Sequence, residues 1–169
     1  MRRVGVAVAL VLAILIIGFI GVHIYSGGRA SDGVEVGVNG FEVEQVGMNR
    51  DPQSGNVYIH IAILSFENPS SGEVVVDLSD LEASVGDYSL GVVNPSHSKT
   101  VEEGETVYFQ IYFSPSGSFL SDIQASEITF ELSGKATFSS DYLWVHKTKT
   151  SQFSLSHKMV LDLDNSKIG

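Results

Sequence analysis

Alternating apolar and polar positions run through most of the chain after residue 34, a spacing typical of β-strands. Val57 to Phe66 is the strongest of these runs, and it is apolar on both faces, which predicts a central strand of a sheet. Val107 to Phe113 has one apolar face, and so does Ile128 to Phe138, where Gly134 interrupts the pattern. These three runs predict the framework of a β-sheet protein.

Shorter strands are expected between these runs. Val34 to Val43 predicts an opening strand with a bulge at Asn39-Gly40, where the apolar parity changes. Val74 to Leu78 predicts a short strand, and Leu81 to Val92 predicts a hairpin that turns at Gly86-Asp87.

The segments between the strands are predicted mainly as turns. Gly47 to Asn56 predicts a polar loop, and Asn68-Pro69 and Asn94-Pro95 end strands because proline lacks the amide hydrogen that a ladder needs. Pro115 to Ala125 is the one segment of the domain whose pattern allows a short helix, and Phe153 to Leu155 marks a last strand. About seven to nine short strands of this kind predict an all-β domain, an antiparallel immunoglobulin-like or fibronectin-III-like β-sandwich.

A continuous apolar block precedes the domain. Residues 4–25 contain no acidic residue, lysine or arginine, and a helix of this length spans about 33 Å, enough to cross a bilayer core of about 30 Å. We therefore divide the chain into a basic amino terminus (1–3), a transmembrane helix (4–25), a flexible linker (26–33), the β-sandwich domain (34–157) and a tail (158–169).

A cleaved signal peptide is the alternative for this block. Its apolar region usually has about 7–15 residues, which is shorter than this one, and no clear small-residue cleavage site follows. We therefore expect an uncleaved, single-pass anchor. Arg2 and Arg3 precede the helix and Arg29 follows it, so the positive-inside bias predicts a cytoplasmic amino terminus and an extracytoplasmic domain at the cell membrane.

Charge excludes one class of partner. Residues 31–169 contain all 20 acidic residues and 7 of the 10 basic ones, a formal net charge of −13. Such a surface repels phosphate backbones, so nucleic acid is not an expected partner. The chain has no cysteine and therefore no disulfide framework.

The sequence has no recognisable catalytic or cofactor motif. Gly86 to Gly91 contains a serine between glycines, but the spacing is not that of a nucleophile elbow and the segment falls in the predicted hairpin. The histidines have no metal-ligand spacing; they are His23, His60, His97, His146 and His157. We expect no enzymatic activity, no catalytic, cofactor-binding or metal-binding residue, no cofactor and no small-molecule substrate.

Three polar features receive structural interpretations. His60 is expected to be a partly buried strand histidine with a hydrogen-bond partner. Asp162 to Asn165 is interpreted as a solvated tail because it lacks the glycine and the distal glutamate of a calcium loop. Glu102 to Glu105 is interpreted as a charged turn, with a weak calcium site as the alternative.

The order of these motifs resembles the late-embryogenesis-abundant type 2 family (LEA type 2), also called the water-stress and hypersensitive-response (WHy) domain. The similar segments are Val34 to Val43, Phe66 to Pro69, Leu81 to Gly91, Val101 to Phe109, Ile128 to Phe138 and Thr150 to Phe153. They cover about residues 34–156. Ser70-Ser71-Gly72 replaces the asparagine and aromatic residue that the family has after its Asn-Pro pair, which leaves an unrelated immunoglobulin-like sandwich as the alternative.

The resemblance implies a small β-sandwich, often membrane-anchored in prokaryotes, with a non-catalytic protective role in desiccation or other stress. The alternative function is a cell-envelope adhesion or scaffolding module that binds a surface protein or an appendage component. Expected partners are the membrane, through residues 4–25, and envelope or client proteins. An exposed sheet edge or apolar patch would favour the binding module.

Overall fold

The computed structural model describes residues 12–25, 28, 34, 36–54, 56–114, 119–120, 127–142 and 145–160. Residues 12–25 form a helix whose side chains are all exposed. None of the helical segments within these ranges combines the length and the hydropathy that a membrane crossing requires. The first part of the predicted anchor and most of the predicted linker lie outside the described residues.

The described strands form two antiparallel sheets. Their strands are β1 (Phe41–Arg50), β2 (Val57–Glu67), β3 (Val74–Val85), β4 (Tyr88–Leu90), β5 (His97–Val101), β6 (Thr106–Tyr112), β7 (Phe119–Leu120), β8 (Glu127–Tyr142) and β9 (Val145–Val160). The first sheet has the order β1-β2-β6, with β7 also pairing with β2; the second has the order β4-β3-β8-β9, with β5 also pairing with β3. The predicted all-β, antiparallel class is confirmed.

The hydrophobic core lies between the two sheets. The ring of Phe41 on β1 lies 4.7 Å from that of Phe66 on β2 and 6.1 Å from that of Phe138 on β8, so it joins both sheets. Further along the core, Phe113 lies edge-on to Phe130, with ring centroids 5.9 Å apart. Because burial of one large apolar side chain contributes about 1.5–3 kcal/mol, this inter-sheet core is the main source of stability.

The strongest sequence patterns gave correct strands. The run from Val57 to Phe66 forms β2, which lies between β1 and β6, so its central position is confirmed. The run around Gly134 forms β8, and β6 buries every second residue as its period of two predicts. The hairpin is also confirmed, since Val85 pairs with Tyr88 and Gly86 adopts a φ of 55°.

The start of the domain differs from the prediction. The first strand begins at Phe41 rather than Val34, because residues 37–40 form a turn in which the Phe41 amide donates to the Val38 carbonyl. The parity change at Asn39-Gly40 therefore marks a turn and not a bulge. The strand then continues to Arg50, which shortens the predicted loop 47–56.

Other differences concern strand length. β3 is one strand from Val74 to Val85, with an irregularity between Ser79 and Glu82 in place of the predicted break. Phe119–Leu120 is a short strand where a helix was allowed, and the rest of the segment 115–125 lies outside the described residues.

Two strands were largely missed. β5 (His97–Val101) was not predicted because only its last residue is buried. β9 has 16 residues, of which the pattern predicted only the part around Phe153, and it runs to Val160, into the predicted tail 158–169. Its outward positions carry mainly serine, threonine, lysine and glutamine. Backbone pairing with β8, rather than an alternating apolar pattern, therefore forms this strand. Residues 161–169, with the acidic segment Asp162 to Asn165, lie outside the described residues.

Candidate functional site

The outer face of the first sheet carries four neighbouring apolar side chains. They are Ile61 and Ile63 on β2 and Tyr108 and Tyr112 on β6, which we call the tyrosine–isoleucine face. Ile61 lies opposite Tyr112 in the sheet register. The tyrosines are 53% and 42% exposed, and the isoleucines are half-buried. A contiguous apolar patch of a few hundred Å², unlike a single exposed side chain, marks an interaction site.

A bulge in β2 turns the two isoleucines outward. β2 has one extra residue, His60, between the pairs that Gly47 makes with Ile61 and Met48 makes with Ile59. The parity of burial changes at this point, because Ile59 and Ala62 are both buried. The isoleucines that follow the bulge therefore lie on the outer face.

Gly47 on β1 makes this arrangement possible. A Cβ at this position would lie 2.6 Å from Ile61 Cγ2 and 2.9 Å from His60 Cε1. Both side chains therefore lean over the glycine and extend the apolar surface toward β1. His60 is half-buried as expected, but its Nδ1 is buried without the expected hydrogen-bond partner among the described residues.

Polar groups accompany the apolar ones on this sheet. Gln110 stands between the tyrosines on β6, and the Tyr112 hydroxyl donates to its Oε1 over 2.8 Å. On β1, Glu42 and Glu44 are exposed, and Glu44 Oε1 accepts a hydrogen bond of 2.7 Å from Ser65 Oγ. An aromatic centre with an acidic margin suits a partner with apolar side chains and flanking positive charges.

Asn68 explains the Asn-Pro pair in structural terms. Its side chain is fully buried, and Nδ2 donates to the carbonyls of Gly72, Val101 and Glu102 over 2.7, 3.0 and 3.2 Å. Its Oδ1 accepts hydrogen bonds from the amide and hydroxyl of Ser70 over 3.0 and 2.6 Å. Asn68 therefore connects the β2–β3 loop to the end of β5 by hydrogen bonds, so the Asn-Pro pair has a structural role.

The charged turn at Glu102 to Glu105 is confirmed. The Glu102 amide donates to Glu105 Oε2 over 3.1 Å, and Gly104 adopts a φ of 69°. Within the described ranges, no group of three or more histidine, aspartate or glutamate side chains could hold a metal ion.

One hydrogen-bonded chain of side chains was not predicted. His146 Nδ1 contacts Asp141 Oδ1, and His146 Nε2 lies 3.0 Å from the hydroxyl of Thr148. The order carboxylate, imidazole, hydroxyl is that of a catalytic relay, but Asp141 and His146 are 74% and 63% exposed on a strand pair. A relay of this kind works in a site that excludes water and aligns donors on an oxyanion, so we interpret it as a surface ladder that joins β8 to β9.

The tyrosine–isoleucine face is not predicted from the sequence. Apolar residues on both faces of β2 correctly predict a central strand, but a central strand can have one face open to solvent. The signal that could have found the face is in β6, where Tyr108 and Tyr112 occupy the positions that alternate with the buried ones.

Comparison with known proteins gives little guidance. No family model matches the chain, and no curated protein matches it. A solved structure described as a protein from Archaeoglobus fulgidus is similar over 72% of this chain and 98% of that chain, with 13% sequence identity and a TM-score of 0.39. The resemblance to the LEA type 2 family therefore stays a prediction.

Proposed function

We propose that the chain is a membrane-tethered binding module that holds a basic protein partner of the cell envelope on its tyrosine–isoleucine face. The observation that supports this proposal is the exposure of Tyr108 and Tyr112 beside Ile61 and Ile63. Tyrosine is enriched among the residues that contribute most to protein–protein binding, because it presents a large rigid surface with a polar tip.

The size of the face fits a modest interface. About half of each tyrosine is exposed, which leaves roughly 200 Å² for the two side chains together. Burial of that area contributes about 5 kcal/mol before the entropic cost of association is subtracted. The face therefore needs further contacts for stable binding, and the acidic margin offers them.

Charge favours a partner over a second copy of the chain. Residues 31–169 have a formal net charge of −13, so two copies repel one another. Glu42 and Glu44, which are exposed on β1, favour lysine or arginine on the partner. The proposed occupant is accordingly a polypeptide segment with an apolar centre and basic flanks.

The proposed setting is the outer side of a membrane. We infer that residues 4–25 form a single anchor and that the two sheets form an immunoglobulin-like β-sandwich. The anchor is supported by the exposure of the apolar side chains of residues 12–25, since a helix that is apolar all round is buried in protein or in lipid. The tether keeps the bound partner close to the membrane surface.

Site-specific photocrosslinking in intact membranes tests the proposal. A photoreactive residue replaces Gln110, which is exposed between the two tyrosines, and the control replaces Thr150, which is exposed on the outer face of the other sheet. We expect one basic protein crosslinked from position 110 and not from 150. The purified partner should bind the chain, and Tyr108→Ser with Tyr112→Ser should weaken it at least about tenfold, or roughly 1.4 kcal/mol. Equal crosslinking from both positions would contradict the proposal.

A protective role in desiccation is the second candidate, and the observation that favours it is the charge of −13 on residues 31–169. An acidic, hydrated domain beside a membrane keeps neighbouring proteins apart as water is lost. The test is a drying and heating assay on an aggregation-prone client, with an acidic β-sandwich of equal mass as the control. Protection no better than the control removes this candidate.

A further inference from the structure

A polar groove crosses the outer face of the second sheet where β3 is irregular. Two cavities of about 520 and 390 Å³ adjoin here and share Leu81, Glu82 and Ser133. Each volume falls in the range of about 300–1,000 Å³ that is typical of small-ligand sites, and both cavities are open to solvent, so the groove is a surface site. The groove belongs to the sheet opposite the tyrosine–isoleucine face and is independent of it.

An extra residue in β3 shapes the groove. Ser79 pairs with Lys135 and Glu82 with Ser133, so β3 has one residue more than β8 across this interval. Asp80 adopts a φ of 52°, a left-handed conformation that aspartate adopts more readily than most residues other than glycine. This conformation accommodates the extra residue.

Gly134 completes the floor of the groove. A Cβ on this residue would lie 2.8 Å from Leu81 Cδ2 and 3.2 Å from Phe153 Cζ. The absence of a side chain lets these two apolar groups pack under the groove. A floor of this kind suits the C–H groups of a ligand whose edges are polar.

The lining has a particular balance of hydrogen-bonding groups. Asp80 Oδ2 and Lys135 Nζ are 2.7 Å apart at one end. Carboxylates, serine hydroxyls and an amide complete the polar part of the lining; they belong to Glu82, Glu131, Ser84, Ser89, Ser133, Ser154 and Gln152. Carboxylates accept hydrogen bonds, the ammonium donates them, and the hydroxyls and the amide do both, so the groove matches a ligand rich in hydroxyl groups.

Charge narrows the class of ligand. Three carboxylates against one ammonium repel an anionic ligand, and no group of described side chains here is arranged to hold a metal ion. We propose that this groove binds a neutral saccharide. Its source is either an envelope glycan or a free sugar of the surroundings, which share the same chemistry.

Titration calorimetry on the full chain tests this proposal. The chain is kept in phospholipid nanodiscs, because detergents with sugar headgroups would compete. The probes are the neutral hexasaccharides of glucose, mannose and N-acetylglucosamine, the free disaccharide trehalose, and the anionic hexamer of galacturonate. We expect at least one neutral probe to bind with a Kd below about 1 mM and the anionic hexamer at least about tenfold more weakly. Tighter binding of a hexasaccharide than of trehalose identifies a glycan as the source, and the reverse identifies a free sugar.

Variants locate the binding in the groove. Ser133→Trp fills the part that the two cavities share, and Gln152→Ala removes the amide with little effect on packing because Gln152 is exposed. Both should weaken saccharide binding at least about tenfold, or roughly 1.4 kcal/mol. Thr150→Ala, on the same face but outside the lining, is the matched control and should change the Kd less than about twofold.

Two results would overturn the proposal: no neutral probe binds, or Gln152→Ala and Thr150→Ala bind alike. Loss of the tyrosines at 108 and 112 should leave saccharide binding unchanged, so the failure of one proposal is distinguishable from the failure of the other.

Discussion

Removal of the Asn68 side chain should destabilise the domain more than any surface substitution. Asn68→Ala removes the donors to the carbonyls of Gly72, Val101 and Glu102 and the acceptor of two hydrogen bonds from Ser70. Asn68 Nδ2 has two hydrogens for three acceptors, so the five contacts amount to about four full hydrogen bonds.

The expected loss of stability follows from the burial of Asn68. A hydrogen bond contributes about 0.5–1.5 kcal/mol net, and a buried carbonyl left without a donor costs about 1–3 kcal/mol. Asn68 is fully buried, so water does not replace the lost groups, and we expect a loss of about 3–5 kcal/mol in the free energy of unfolding. This is a large part of the total of about 5–15 kcal/mol that is usual for a domain.

The chain supplies a matched control. Asn94-Pro95-Ser96 repeats the triplet that begins at Asn68, but Asn94 is exposed. Asn94→Ala should change the stability by less than about 0.5 kcal/mol. Urea unfolding followed by circular dichroism measures both variants. A loss below about 1 kcal/mol for Asn68→Ala, or equal losses for the two variants, would refute the account of Asn68 as the link between the loops.

Three further substitutions test local features. Gly134→Ala places a Cβ 2.8 Å from Leu81 Cδ2 and should cost about 1–3 kcal/mol in a urea titration. Gly86→Ala meets no atom within 4 Å but keeps a φ of 55°, so it should cost only about 1 kcal/mol in the same titration. The hydrogen bond to Asp80 and then the attraction of its charge raise the pKa of Lys135 above 10.5. A raised lysine pKa stabilises the folded state fully below pH 10.5, and this stabilisation is lost as the pH rises through the pKa of Lys135 in the folded state. The Tm difference between the wild type and Lys135→Met should therefore shrink as the pH rises above 10.5.

Much of the fold was predictable because its core strands have clear apolar patterns. β6 and β8 bury one face each, and β2 has two apolar faces, so local pattern and tertiary position agree. β5 and most of β9 lack that agreement. β5 pairs with β3 and β9 pairs with β8. Hydrogen bonds to these neighbouring strands, rather than a pattern in their own side chains, determine that they are strands.

The positions of the bulges could not be predicted for a related reason. At His60 the apolar residues on both sides of the strand hide the change of parity, and in β3 the irregularity near Asp80 resembles a break between two strands. Both bulges adjoin the proposed binding surfaces. The sequence therefore indicates which strands form the layers, whereas the outer surfaces depend on register between segments far apart in the chain.

Hydroxyl-radical footprinting in intact membranes tests most directly whether the tyrosine–isoleucine face is a binding surface. Tyr88 on β4, in the other sheet, is 43% exposed and serves as an internal reference for Tyr108 and Tyr112, which are 53% and 42% exposed. The account predicts that Tyr108 and Tyr112 are protected relative to Tyr88 in the native membrane and become reactive once the chain is purified. Labelling of all three tyrosines in proportion to their exposure in the native membrane would contradict it.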